Sequence, residues 1–152
     1  MPKPQDSYAD AVEWLKPQLY GLPGKVIAID GRNGVGKTTF GRFLAWAFNS
    51  TLVETDLYLK NEEFEYRDVE LKRIIKCRLS KSRPVILDGI AILWILKRLD
   101  ITPDCHIYIR NRHQSDDEID RTDIVGQYLI KYEFEALPIQ KSHYLLDFNI
   151  DV

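Results

Sequence analysis

The sequence is poor in cysteine and contains no long hydrophobic run. Its two cysteines, Cys77 and Cys105, lie far apart and lack the short spacing of a zinc site or a redox pair, which favours reduced thiols inside the cell. The longest apolar run, GIAILWIL, is far shorter than the roughly 20 residues that span a bilayer. The N-terminus also lacks a basic segment followed by an apolar one. We therefore expect a cytoplasmic protein with no membrane partner.

An excess of positive charge is also absent. Lysine and arginine number 21 against 23 acidic residues, which gives a formal net charge of -2. This balance provides no overall attraction to nucleic acids, so we expect no nucleic-acid partner, and a polyanion must be bound by a local site. The length is that of one ordinary domain, and residues 1–152 are predicted to fold as a single domain.

Glycine is scarce, yet three of the eight glycines stand within six positions in the segment GRNGVGKT, residues 31–38. The segment satisfies the pattern G-x-x-x-x-G-K-S/T, with the apolar run KVIAID before it and a helical pattern after it. Glycines permit backbone conformations in which successive amide N–H groups point at phosphate oxygens, and the helix that begins near Lys37 adds its positive end. The segment is therefore predicted to bind ATP or another nucleoside triphosphate.

Several residues of this loop receive predicted roles. Lys37 is expected to reach the β- and γ-phosphates, and the Thr38 hydroxyl is expected to ligate magnesium. Asp88 ends the apolar run PVILD and can hold a water of the same ion if that strand neighbours the first, although a simple turn residue is the alternative. The predicted nucleotide-binding residues are Gly31, Asn33, Gly34, Val35, Gly36, Lys37, Thr38 and Thr39.

A second acidic residue, Asp56, follows another apolar strand in the segment TLVETD. A kinase needs a carboxylate that faces the γ-phosphate and accepts the proton of the attacking hydroxyl. Asp56 is the candidate for this base, with a turn or helix-cap role as the alternative. Glu54 is less favoured because it lies inside the strand.

Residues 110–122 are predicted to form a lid. Arg112 and Arg121 are candidate catalytic residues, because mobile guanidinium groups can close over developing negative charge. Ser115 and Glu118 match a capping box, so the acids of this segment suit the start of a helix. Pairing of the arginines with those acids is the alternative role.

Strand patterns and helical patterns alternate along the chain. A first helix is predicted within residues 1–20, and helical periodicity separates the later strands. This alternation predicts a parallel sheet with helices on both faces. The five predicted strands are KVIAID, TLVETD, RPVILDG, DCHIYIRN and HYLLDFNI.

These segments resemble the small P-loop kinases of the uridine kinase and phosphoribulokinase type. The likeness rests on IAIDGRNGVGKTTFGRFLA, VETDLYL, VILDGI and YEFEALP followed by LLDFNI, and it covers about residues 24–150. It implies a three-layer α/β/α P-loop NTPase fold with a five-stranded parallel sheet in the order 2-3-1-4-5. It also implies that Asp56 is the base or a magnesium-linked carboxylate, that Asp88 stands for a strand-end Glu, and that Arg110, Arg112 or Arg121 belong to a lid.

The expected function is ATP- and magnesium-dependent transfer of phosphate to a hydroxyl of a small metabolite, a nucleoside or related sugar. The alternative is a nucleotide-binding module or switch without transferase activity, which the short stretch between Asp56 and Pro84 and the acidic lid favour. A GTPase is disfavoured because RNRH, not N-K-x-D, follows the fourth strand. A nucleic-acid 5′-hydroxyl kinase would need a basic groove with interleaved aromatic residues.

Overall fold

The fold is built on one parallel β-sheet. A computed structural model describes residues 1–21, 24–60, 64–112 and 119–148. The strands are β1 (Pro4–Gln5), β2 (Val26–Gly31), β3 (Thr51–Glu54), β4 (Val85–Asp88), β5 (Cys105–Asn111) and β6 (Tyr144–Phe148). They lie in the order β1-β6-β5-β2-β4-β3, and every neighbouring pair is parallel.

Helices cover both faces of the sheet, which gives three layers. The helices are α1 (Tyr8–Leu19), α2 (Lys37–Ala47), α3 (Asp68–Ser80), α4 (Ile92–Arg98), α5 (Ile124–Ala136) and α6 (Pro138–Lys141), and a 3-10 turn spans Thr55–Tyr58. The first two helices pack on one face and the next two on the other. None of the helices in the described ranges is both long and apolar enough to cross a membrane.

The central strand β2 explains why both faces are covered. All six of its residues are buried, so it reads as a continuous apolar run rather than an alternating one. Ile27 and Ile29 belong to the core beneath α1 and α2, whereas Val26 and Ala28 belong to the core beneath α3 and α4. Each buried Ile contributes about 1.5–3 kcal/mol of transfer free energy. The strand that leads into the glycine loop is therefore fixed from both sides.

The number of strands corrects the sequence prediction. Six strands are present instead of five, because β1 adds to the sheet edge with Pro4 opposite Leu145 and Gln5 opposite Leu146. The five predicted strands lie in the predicted relative order. A two-residue strand has no periodicity to detect, and an edge is where proline, which lacks an N–H, is tolerated. The helix predicted in residues 1–20 begins at Tyr8, with the Ser7 hydroxyl accepting a hydrogen bond from the Asp10 N–H.

Two local boundaries also differ from the prediction. Strand β3 ends at Glu54, and Asp56 lies in the 3-10 turn that follows it. Pro138, predicted only to end α5, begins the short helix α6. Residues 110–111, where the predicted lid overlaps the predicted strand DCHIYIRN, belong to β5, and residues 113–118, which include the predicted capping box, lie outside the described residues.

Candidate functional site

The glycine loop between β2 and α2 has a backbone that only glycine adopts easily. Gly31, Gly34 and Gly36 have φ angles of 147°, 74° and 97°, all in the region that side chains disfavour. A Cβ on Gly31 would lie 2.5 Å from the carbonyl oxygen of Ile109. Gly36 is the N-cap of α2, and no side chain caps that helix. The first amide groups of α2 are therefore available to a ligand.

Replacing Gly31 with alanine should destabilise the protein by about 2–4 kcal/mol, from backbone strain plus collision with a main-chain atom of β5. Urea unfolding monitored by circular dichroism measures this change. Gly21→Ala is the matched control, because Gly21 also has a positive φ, 76°, but nothing lies within 4 Å of its added Cβ. The control should lose only about 1 kcal/mol. Equal losses in both variants would show that the contact with Ile109 does not matter.

The other loop residues differ in exposure. Val35 is only 3% exposed and packs in the core beneath α1 and α2, so only its main chain is available for binding. Asn33, Gly34 and Thr39 are exposed. Only part of the predicted nucleotide-binding set therefore offers side chains to a ligand.

Lys37 lies at the start of α2 and folds back over the loop. Its Nζ donates a hydrogen bond of 2.6 Å to the carbonyl oxygen of Arg32. Burial lowers the pKa of Lys37, and the negative charges of Asp30, Asp56 and Asp88 partly offset this effect. The carboxylates of Asp30, Asp56 and Asp88 thus favour the charged form of the Lys37 ammonium group, which is the form that binds phosphate.

Thr38 and Asp88 meet on adjacent elements. Strand β4 pairs with β2, with Ile29 opposite Asp88, so the condition for bringing Asp88 to the loop is met. Burial raises the pKa of Asp88, while a hydrogen bond from the Thr38 side chain opposes that rise. Asp88 is 2% exposed, and its Oδ2 is a buried atom with no hydrogen-bond partner among the described residues.

These oxygens fit a magnesium ion. A hydroxyl and a carboxylate are the hard ligands that Mg²⁺ accepts, and an orphaned buried oxygen is an atom that a hydrated ion can satisfy. No cluster of three or more His, Cys, Asp or Glu side chains suited to a metal occurs in the described parts of the chain. An ion at Thr38 and Asp88 would therefore take its remaining ligands from water and phosphate.

Asp30 is a site residue that the sequence analysis missed. It is fully buried at the end of β2, and its Oδ1 accepts the Gly31 N–H at 2.9 Å. Its Oδ2 accepts a hydrogen bond from the Tyr132 hydroxyl and lies 3.0 Å from Nε2 of His106. A carboxylate satisfied in this way fixes the first residue of the glycine loop. The sequence feature that could have identified Asp30 is its place as an acidic residue at the end of the otherwise apolar strand segment VIAID.

A second contact ties the loop to α5. The Arg32 guanidinium makes a two-point ion pair with Glu133, at 2.7 Å and 2.8 Å. The Tyr108 hydroxyl also donates to the Glu133 carboxylate, at 3.2 Å. Both groups of the Arg32 pair are largely buried, and a bidentate pair fixes orientation as well as distance. The loop is thereby held against the helix that follows the predicted lid.

Asp56 opens onto a cavity beside the glycine loop. This cavity, called the Asp56 cavity below, has a volume of 440 Å³. It brings the predicted base together with Asn33 of the loop, and Asp123 at the start of α5 completes its polar lining. The residues that line it are Asn33, Asp56, Leu59, Phe64, Ile90, Asp123, Ile124 and Val125. Glu54, the less favoured base, does not line it and instead pairs with Arg42 at 3.1 Å.

None of the predicted lid arginines is among the described residues that line the Asp56 cavity. Arg110 and Arg112 both pair with Asp147 of β6, at 2.8 Å and 3.1 Å. Burial alone would raise the pKa of Asp147, but the hydrogen bonds and charges of the two arginines outweigh it and hold the pKa below its usual range. Arg121 is exposed in the loop before α5, and its carbonyl oxygen accepts a hydrogen bond from the Gln127 side chain.

No protein-family model matches the chain, and no curated protein matches its sequence. Solved structures do share its architecture. A possible uridine kinase from Bacillus stearothermophilus aligns with a TM-score of 0.64 at 14% identity, over 91% of this chain and 98% of that one. A shikimate kinase from Acinetobacter baumannii, in complex with shikimate, aligns with a TM-score of 0.51 at 15% identity, over 90% and 89% of the two chains.

The chain therefore has the fold of the P-loop kinases. Nearly the whole of both solved structures is matched, so the shared architecture includes the central sheet and its covering helices. The resemblance to kinases of the uridine kinase type is thus confirmed at the level of the fold. At this identity the similarity does not carry a substrate.

Proposed function

We propose that this protein is an ATP- and magnesium-dependent kinase that phosphorylates a hydroxyl group of a small metabolite, with a nucleoside or related sugar as the acceptor. The P-loop kinase fold supports the reaction class. The positive-φ glycines and the open N-terminus of α2 support nucleotide binding by residues 31–39. In this proposal the nucleotide is a substrate, and the protein supplies position and charge.

Lys37 and the main-chain amides of the loop would bind the phosphates. Lys37 would exchange the Arg32 carbonyl for a phosphate oxygen, because an ammonium group pairs more strongly with an anion than with a neutral carbonyl. Thr38 would hold a magnesium ion directly, and Asp88 would hold it directly or through water. The ion, when bound, neutralises charge on the β- and γ-phosphates.

Asp56 would act as the general base. The acceptor oxygen forms a bond to the γ-phosphorus while the bond from that phosphorus to the β,γ-bridging oxygen breaks, which releases ADP. The hydroxyl proton passes to the Asp56 carboxylate. Among the lid residues, Arg121 is the more available cation, whereas Arg112 would first have to leave Asp147.

One observation favours a kinase over a nucleotide-binding module: Asp56 and Asn33 line the same cavity. A carboxylate and the glycine loop thus open onto one space large enough for a small molecule. A module that only binds nucleotide has no need for such a space beside the γ-phosphate position.

A panel of nucleosides and sugars, assayed with Mg·ATP for ADP release and for phosphorylated product by mass spectrometry, tests the proposal. We expect at least one acceptor to raise ADP release well above the rate with water alone. If no acceptor does so although ATP binds, the protein is a nucleotide-binding module and the kinase proposal is wrong.

A further inference from the structure

The Asp56 cavity has an unusual combination of walls. Five apolar side chains contribute to it, two from the segment between the 3-10 turn and α3, one from the segment after β4 and two from the start of α5. The only ionisable side chains among its described lining residues are two carboxylates, Asp56 and Asp123. Lysine and arginine, the residues that recognise carboxylates and phosphates, are absent from that lining. The described surface of the cavity is therefore negatively charged.

Asp123 lies at the N-terminus of a helix, a position that stabilises a bound anion when no acidic side chain is already there. It is the N-cap of α5, a helix of 13 residues whose N-terminus carries a partial positive charge. N-cap aspartates usually accept a hydrogen bond from their own helix, but the Asp123 side chain makes no such bond. Its carboxylate therefore remains available at the cavity and offsets the positive end of the helix.

The backbone around Asp123 is held in place. The Asp123 N–H donates to the Asp120 carbonyl oxygen at 3.2 Å, and the Asp120 carboxylate accepts from the Thr122 N–H and hydroxyl. A Cβ on Gly126 would lie 1.9 Å from the Asp120 carbonyl oxygen, so this turn packs directly on α5. Asp123 is thus presented by a tight turn and not by a free loop end.

Phe64, one of the apolar lining residues, is held by aromatic contacts. Phe64 stacks on Tyr128 with ring centroids 4.0 Å apart and an interplanar angle of 2°. Tyr128 in turn meets Trp94 edge to face at 5.2 Å, so the stack continues into the protein. The Phe64 ring, held in this way, suits contact with the apolar or planar body of a small ligand.

We infer that the Asp56 cavity binds neutral or positively charged hydroxyl compounds and that Asp123 is the residue that excludes acceptors bearing a carboxylate or phosphate group. This inference rests on the proposed function, because it takes the cavity to be the acceptor site. The physical basis is electrostatic repulsion, which weakens the binding of anions relative to neutral compounds. An anion in the cavity meets two carboxylates and no compensating cation among the described lining residues. A protonated amine meets two carboxylates of opposite charge among the same lining residues.

Matched ligands that differ in charge test the inference by binding alone. The full chain, saturated with Mg²⁺ and the non-hydrolysable analogue AMP-PNP, is titrated calorimetrically with two sets of three compounds. One set is 3′-amino-3′-deoxythymidine, thymidine and thymidine 3′-monophosphate, and the other is D-glucosamine, D-glucose and D-glucuronate. In at least one set we expect the amine and the neutral compound to bind, and the anion to bind at least tenfold more weakly than the neutral compound.

The variant Asp123→Asn measures how much the negative charge of Asp123 contributes to the exclusion of anions. It keeps the size of the side chain but exposes the positive end of α5, so the anion should gain about tenfold in affinity while the neutral compound changes little. Asp100→Asn is the matched control, because Asp100 is exposed, lies outside the lining of the cavity and has a positive φ that asparagine tolerates. The control should leave the difference between anion and neutral compound unchanged.

The outcomes separate this inference from the proposed function. An anion that binds as well as its neutral partner, an unchanged difference in Asp123→Asn, or no binding by any of the six compounds would overturn the inference. If the expected order of binding is found but none of the compounds yields ADP with Mg·ATP, the charge selection stands and the kinase proposal fails. If ADP is formed preferentially with the anions, the kinase proposal stands and the charge selection fails.

Discussion

Replacing Lys37 with alanine should lower ATP-dependent turnover by about 100-fold or more, the loss expected when one preorganised electrostatic group is removed. The Lys37 ammonium is the cation that the structure holds over the glycine loop, within the influence of Asp30, Asp56 and Asp88. Without it, the phosphates would lose a positive charge that lies under the electrostatic influence of these carboxylates. The measurement is the steady-state rate of ADP release with the best acceptor of the panel.

Lys76→Ala provides the control for this variant. Lys76 is exposed on α3, so its removal changes the net charge equally without touching the loop. Circular dichroism should show both variants folded, and only Lys37→Ala should lose turnover. Near-normal turnover in Lys37→Ala would mean that the loop does not take part in the reaction.

Replacing Asp56 with asparagine should lower kcat by about 100- to 10,000-fold, because the amide has the same size but cannot accept the proton of the attacking hydroxyl. Affinity for Mg·ATP should change by no more than about twofold, because Asp56 lies outside the glycine loop. Single-turnover kinetics measure the chemical step, and titration with a fluorescent ATP analogue measures nucleotide binding.

Glu54→Gln distinguishes Asp56 from the less favoured base. Glu54 ends β3 two residues before Asp56 and pairs with Arg42, so its replacement should cost only the exposed ion pair, about 1 kcal/mol of stability or less. We expect normal kcat in Glu54→Gln. Loss of kcat there, with activity retained in Asp56→Asn, would assign the base to Glu54.

The parts of the fold that the sequence predicted well depend on local pattern. The apolar residues 26–29, the glycine spacing and the helical periodicity after Lys37 are all contained in one short segment, so β2, the loop and α2 could be identified together. The relative order of the five predicted strands followed from the family resemblance. The approach of Asp88 to the loop then followed from the pairing of β4 with β2.

The parts that could not be predicted depend on contacts between distant residues. Asp30 is satisfied by His106 and Tyr132, which are 76 and 102 positions away in the sequence. The pairing of Arg110 and Arg112 with Asp147 follows from the register of β5 and β6, which places Arg110 opposite Asp147. Local periodicity carries no information about such register, because it reports only which face a residue shares with its near neighbours.

The role inferred for Asp123 also depends on contacts between residues that are distant in the sequence. In the sequence, Asp123 is one of several acids in a polar segment before a helix, and nothing separates it from its neighbours. The turn that packs on Gly126 places it at the cavity that also contains Asp56. Charge at a cavity is a property of the folded chain, so it became visible only when β3, β4 and α5 were brought together.

A crystal structure of the protein grown with millimolar Mg²⁺ and AMP-PNP tests the central claim most directly. We predict phosphate oxygens within hydrogen-bonding distance of the main-chain amides of residues 34–38, with Lys37 Nζ moved from the Arg32 carbonyl to a phosphate oxygen and Mg²⁺ beside Thr38 and Asp88. A nucleotide bound elsewhere, or a loop without phosphate whose Lys37 still contacts Arg32, would contradict the account.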